Sequence, residues 1–116
     1  MDVGESIEQT AVREAFEETN LIVRLIGILG VYSIPSRDPR RHTITTTFLA
    51  EATNPSNIRG SDDAAIASWF SIGNIPNLVF DHSKMINDFM EYLRGVRTIA
   101  SITYPETIFT PQGIPC

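Results

Sequence analysis

The stretch Ser6-Ile7-Glu8-Gln9-Thr10-Ala11-Val12-Arg13-Glu14-Ala15-Phe16-Glu17-Glu18-Thr19-Asn20-Leu21 carries the start, the stop and the faces of a helix. Ser6 and Gln9 stand in capping-box register, the hydroxyl accepting from the first turn and the amide reaching back, so a helix is predicted from about Ile7 to about Thr19. Asn20 tolerates the left-handed conformation that ends helices. At about 100° per residue, Glu14, Glu17 and Glu18 share one face while Val12 and Phe16 point roughly the other way. Like charges at this spacing cost roughly 0.2–0.5 kcal/mol per pair in an isolated helix. The face is therefore either a solvated acidic one steadied by an Arg13–Glu17 pair, or the holder of a cation that offsets the repulsion.

Outward from this helix, Leu21 to Ser33 is rich in Leu, Ile and Val and reads as a long strand, with Gly27 and Gly30 as bulge or bend positions. A charged loop with two prolines, Ile34 to Arg41, separates it from His42 to Ala52, whose alternation suits a half-buried strand pairing with the first. Thr53 to Asp62 carries turn signals, Ala65 to Phe70 a short strand, and Gly73 to Pro76 another turn. Trp69 and Phe70 are expected in the core. Asp81 is the expected N-cap of a second helix, His82 to Leu93, whose stripe Met85, Ile86, Phe89, Met90 and Leu93 is core packing. Beyond it, residues 98–116 form a tail with a β-prone run, Ile99 to Tyr104.

Length and composition bound the function. The chain has 116 residues, 42% of them hydrophobic and 20% charged, which is ordinary globular composition. A net charge of -5 offers no general attraction to a nucleic-acid polymer or an anionic membrane surface. Cys116 is the single cysteine, which excludes an intrachain disulfide and a cysteine-based zinc site. With neither a signal-peptide pattern nor an apolar run long enough for a membrane span, the cytoplasm is the expected location.

The pattern Glu5-x7-Arg13-Glu14-Ala15-x-Glu17-Glu18-x-Asn20-Leu21 resembles the Nudix box, Gly-x5-Glu-x7-Arg-Glu-aliphatic-x-Glu-Glu-x-Gly-aliphatic. Asn20 stands where the box ends on glycine, and the opening glycine of the box would fall ahead of Met1. The resemblance continues through Val31-Tyr32-Ser33, Ser36 to Arg40, His42 to Ile44, Asp62 to Ala65, Trp69-Phe70 and Phe80 to His82, and is similar to the ADP-ribose pyrophosphatase-like branch. It implies an α+β fold, an α/β/α sandwich on a mixed sheet, over residues 1–97, with the strands that precede the box missing. It further implies an Mg²⁺-dependent diphosphate hydrolase, Mn²⁺ being the other candidate metal, that cleaves ADP-ribose to AMP and ribose 5-phosphate.

By position, the resemblance makes Glu14, Glu17 and Glu18 the metal carboxylates and catalytic residues. Arg13 orients a glutamate, and Glu5 fills the early glutamate position. Such a cluster leaves metal coordination positions for water and phosphate. Arg37 and Arg40 are the candidate substrate-binding residues, because guanidinium forks match phosphate oxygens. His42 and His82 are expected to make local hydrogen bonds rather than catalyse. In the family it resembles, a glutamate often stands where this chain has Ile66, and Asp62 and Asp63 read as turn residues. An incomplete sheet exposes edges, so a homodimer is expected. The competing expectation is a truncated, non-catalytic remnant that binds nucleotide or a partner chain, or a Nudix hydrolase acting on other nucleotides.

Overall fold

In the computed structural model, residues 1–60, 68–71, 75, 78 and 81–102 are described. The first helix, α1, spans Ile7–Thr19, with Ser6 at its N-cap and the Ser6 hydroxyl accepting from the Gln9 amide at 3.1 Å. Asn20 closes it in the left-handed region at φ 63°, its N–H returning to the Phe16 carbonyl. The Asn20 carboxamide also donates to the Asn57 carbonyl at 2.9 Å. Asn54 meanwhile donates to the Asn20 carbonyl and accepts from the Ile22 amide. Asparagine thus supplies the same backbone turn as glycine and adds a side-chain tie to the 3₁₀ turn Pro55–Asn57.

Strands β1, Val23–Tyr32, and β2, Thr45–Ala52, pair as a two-stranded antiparallel sheet. The predicted second strand begins three residues late. His42 and Thr43 are held in the loop instead, His42 Nε2 on the Ser33 carbonyl at 2.8 Å and Thr43 Oγ1 on Arg37 at 2.7 Å. The tail enters the fold through an antiparallel bridge between Ala100 and Ile28, and Ile102 is buried. Gly27 lies against this bridge, and neither Gly27 nor Gly30 has positive φ. A Cβ at residue 27 would lie 2.6 Å from Ile99 Cδ1 and 2.9 Å from the Ala100 carbonyl oxygen. Gly27→Ala is therefore expected to break the bridge and cost about 1–3 kcal/mol in urea unfolding, with the Ala100 amide losing its exchange protection.

The second helix, α2, spans His82–Leu93. It ends in a Schellman motif, with Gly95 at φ 76°, its N–H on the Tyr92 carbonyl and the Val96 N–H on that of Glu91. Two expectations need correction here. The Asp81 side chain makes no capping bond, because both its oxygens are taken by Arg37. Of the stripe expected in the core, Leu93 is exposed and Met85, Ile86, Phe89 and Met90 are half-buried, while the buried residue of the helix is Asp88.

The chain divides into two compact units. The first comprises Met1–Ile26, Ala50–Phe70 and Ile102–Cys116, the second Gly27–Leu49 and Ser71–Ser101. Val12, Leu21 and Ile102 are buried in the first, and Leu29, Tyr32 and Leu49 in the second. Trp69 and Phe70 are not core, each being 58% exposed, and the Trp69 indole N–H donates to the Pro55 carbonyl at the surface. Ser68 to Phe70 is not strand; the rest of that predicted strand, Asp62, Asp63, Ile66, most of the Gly73 to Pro76 turn and residues 103–116 lie outside the described residues. No described helix is long and apolar enough to cross a membrane.

Candidate active site

The helical register of α1 brings Arg13, Glu14, Glu17 and Glu18 to one surface, and the turn before the helix brings Glu5 under it. Arg13 Nε donates to Glu5 Oε2 at 2.8 Å and Nη2 to Oε1 at 3.1 Å, a forked pair. Its Nη1 meanwhile reaches both oxygens of Glu17, at 3.0 and 3.1 Å. Glu14 approaches the same guanidinium at 3.8 Å. The Thr10 hydroxyl donates to Glu5 as well, at 2.7 Å. Glu5 is thus an anchor: the sequence signal was its spacing of eight residues from Arg13, which on a helix with a leading turn closes into contact.

The electrostatics follow from this fork. The Arg13 guanidinium, and after it the Thr10 hydroxyl, hold the Glu5 carboxyl down at about 2, and Glu5 and Glu17 push Arg13 upward. A depressed carboxyl stabilises the fold above its ordinary value of 4.5 and loses that contribution as pH falls from there to about 2. Thermal unfolding followed across that interval is expected to show a loss of Tm for the native chain and a flatter profile for Glu5→Gln, which has no carboxyl to protonate at that position.

Glu14, Glu17 and Glu18 are all exposed, the Glu14 and Glu17 side chains by 50% and 56%. Among the described residues no group of three or more His, Cys, Asp or Glu side chains converges into a ready-made metal cage. The α1 carboxylates therefore form an open face of hard oxygen donors.

The two arginines of the loop sit in the second unit. Arg37, on the 3₁₀ turn Pro35–Arg37, is nearly buried and forks onto Asp81 at 2.7 and 2.9 Å, while its Nη1 donates to Thr43 and Thr45 at 2.7 and 2.8 Å. Asp81 and Arg37 shift each other accordingly, the carboxyl down and the guanidinium up. Arg40 is exposed and pairs with the buried Asp38 at 3.1 Å. That pair, reinforced by the Arg40 backbone N–H, holds the Asp38 carboxyl low. The partners Asp38 and Asp81 were missed in the sequence, although the alternating charges of Arg37-Asp38-Pro39-Arg40 were a signal for the first.

Comparison with known proteins adds what geometry alone does not. The family model of the NUDIX domain matches residues 1–89, more than half of the chain. The chain belongs to the Nudix family. Among its relatives, an ADP-ribose pyrophosphatase of Methanocaldococcus jannaschii is 42% identical over 95 residues, 82% of this chain and 56% of that protein. A Bacillus subtilis protein provisionally named 8-oxo-dGTP diphosphatase is 33% identical over 90 residues, 77% of this chain and 58% of its own. An NAD-capped RNA hydrolase of Pseudomonas aeruginosa is 31% identical over 78 residues, covering 67% of this chain and 27% of that enzyme. This Nudix chain therefore spans a little over half the length of the first two relatives. The matched region includes α1 with its Glu5–Arg13–Glu17 chain and the Arg37–Asp81 pair.

Proposed function

We propose that this chain is a divalent-metal-dependent diphosphate hydrolase acting on a nucleoside diphosphate linked to a second moiety, ADP-ribose first, releasing AMP and ribose 5-phosphate. The observation that carries the reading is the exposed Glu14, Glu17, Glu18 face of α1, ordered by Arg13 on Glu5. Its donors are hard carboxylate oxygens open to solvent, which suits Mg²⁺, with Mn²⁺ the alternative. When bound there, the metal supplies charge neutralisation for the diphosphate and a more acidic attacking water. Glu14, Glu17 and Glu18 would hold it, and whichever of them is not committed to the metal accepts the proton of the water. Arg13 keeps the set in register. The M. jannaschii ADP-ribose pyrophosphatase, at 42% identity, supports ADP-ribose over other nucleotides.

Within this reading Arg40 is the direct phosphate contact, since its side chain is 70% exposed. Arg37 spends four N–H groups on Asp81, Thr43 and Thr45, and so supports the loop that presents Arg40. Homodimerisation belongs to the same proposal, favoured by Ile26 and Val31, apolar and exposed on β1. Light scattering returning a monomer mass would remove that part. The activity is tested by incubation with ADP-ribose and Mg²⁺ and chromatography for AMP. AMP formation that needs the metal is expected; none above an EDTA control would leave the chain a non-catalytic Nudix remnant.

A further inference from the structure

Within the first unit, the end of α1 that carries Glu17 and Glu18 is tied to the segment after β2 by a run of hydrogen bonds. The Arg59 amide donates to the Thr19 carbonyl at 2.9 Å, one residue beyond Glu18. The Asn20 carboxamide donates to the Asn57 carbonyl at 2.9 Å, and the Asn54 side chain bonds both Asn20 and Ile22. The Thr53 amide and hydroxyl both donate to the Ile22 carbonyl, each at 2.8 Å. Residues 53–59 are thus held in register with the carboxylate helix. Onto this segment the Trp69 indole N–H donates, at 3.0 Å to the Pro55 carbonyl.

Two side chains anchored here have no task inside the fold. Trp69 is 58% exposed, and since its N–H is engaged by Pro55, the surface it offers to solvent is ring. The same bond fixes the indole, so a flat group can stack on it with little further ordering. Arg59 is exposed, and among the described residues its guanidinium forms neither an ion pair nor a hydrogen bond. Arg13, Arg24, Arg37, Arg40 and Arg97 are each paired with a carboxylate. A fixed aromatic ring and an unengaged guanidinium suit a nucleotide, the base on the ring and the phosphate on the fork. The Thr19 anchor of Arg59 lies about 3 Å farther along the axis of α1 than Glu17, so this arginine is rooted beside the carboxylates.

We propose that Trp69 and Arg59 bind the nucleoside phosphate half of the substrate, the base stacking on the Trp69 ring and phosphate oxygens accepting from the Arg59 guanidinium. That the ligand is a nucleotide rests on the hydrolase reading; the contacts themselves use no metal and no glutamate of α1.

Trp69 is the sole tryptophan, so its emission reports the stacking directly. The full chain in EDTA is titrated with AMP and with ribose 5-phosphate. AMP is expected to quench the emission saturably, and ribose 5-phosphate, which has no base, to leave it unchanged. Arg59→Ala is expected to weaken AMP binding about tenfold or more while the quench at saturation is kept. Trp69→Leu is expected to weaken it by a similar factor in isothermal titration, and Arg59→Ala decides the matter if Trp69→Leu unfolds. Arg94→Ala, which removes another exposed arginine, controls for net charge and is expected to bind AMP as the native chain does. AMP has no phosphoanhydride to cleave, so the titration is independent of the ADP-ribose assay. Cleavage of ADP-ribose without quenching by AMP keeps the hydrolase and removes this site, whereas quenching without cleavage keeps the site and removes the hydrolase. No quenching by AMP, equal quenching by ribose 5-phosphate, native affinity in Arg59→Ala, or an equal loss in Arg94→Ala overturns the proposal.

Discussion

Glu17→Gln is expected to lower kcat for Mg²⁺-dependent ADP-ribose cleavage by about 10²–10⁴-fold while the protein stays folded. The amide keeps the size of the carboxylate and removes its charge, so one oxygen donor to the metal, or the proton acceptor, is lost. Structurally the change is mild. Glu17 is exposed and its bond to Arg13 is an i,i+4 surface pair, worth about 0.3–0.5 kcal/mol, while Arg13 keeps its fork on Glu5. Activity and stability should therefore separate, with initial rates from AMP chromatography falling and Tm moving by about 3 °C at most. Glu51→Gln, on β2 and paired with Arg24, is the control for a lost surface carboxylate and should keep the native rate. A Glu17→Gln rate within about threefold of native would remove Glu17 from the machinery.

Arg37→Ala is expected to have the largest effect on stability, lowering Tm by roughly 10 °C or more. The variant strands the Asp81 carboxylate and removes the donor to two threonine hydroxyls, so the loop of residues 34–44, the start of β2 and the start of α2 lose a common tie. Arg37→Lys should recover only part of the loss, because one ammonium cannot reproduce a fork onto Asp81 together with two hydroxyl contacts. Differential scanning calorimetry of the three proteins measures this directly. A Tm for Arg37→Ala within about 2 °C of native would show that the fork contributes little.

The parts of the fold that were legible are those determined by local chemistry. Both helices fall where the sequence places them, Ile7–Thr19 and His82–Leu93, because caps, stops and 3.6-residue periodicity act within a few residues. Strand β1 was legible for the same reason. Several of the errors have a tertiary partner behind them. Asp81 reads as a cap until Arg37, 44 positions away, takes its carboxylate. The second strand starts late because Thr43 and His42 serve Arg37 and Ser33. Trp69 reads as core by composition, yet its indole finds a carbonyl at the surface. The network of Tyr32, Lys84 and Arg97 on Asp88 was invisible, since only the i,i+4 spacing of Lys84 and Asp88 hinted at it.

By itself, then, the sequence determined the register of the carboxylate helix and with it the family, because spacing along a helix converts directly into a shared face. Tertiary structure alone decided what the charged side chains do there and elsewhere. It turned Arg37 inward onto Asp81 and brought the Tyr32 hydroxyl onto Asp88. The physical reason is the range of the forces: helix signals are settled within a turn, whereas an ion pair between residues far apart in the chain exists only after folding has closed the loop between them.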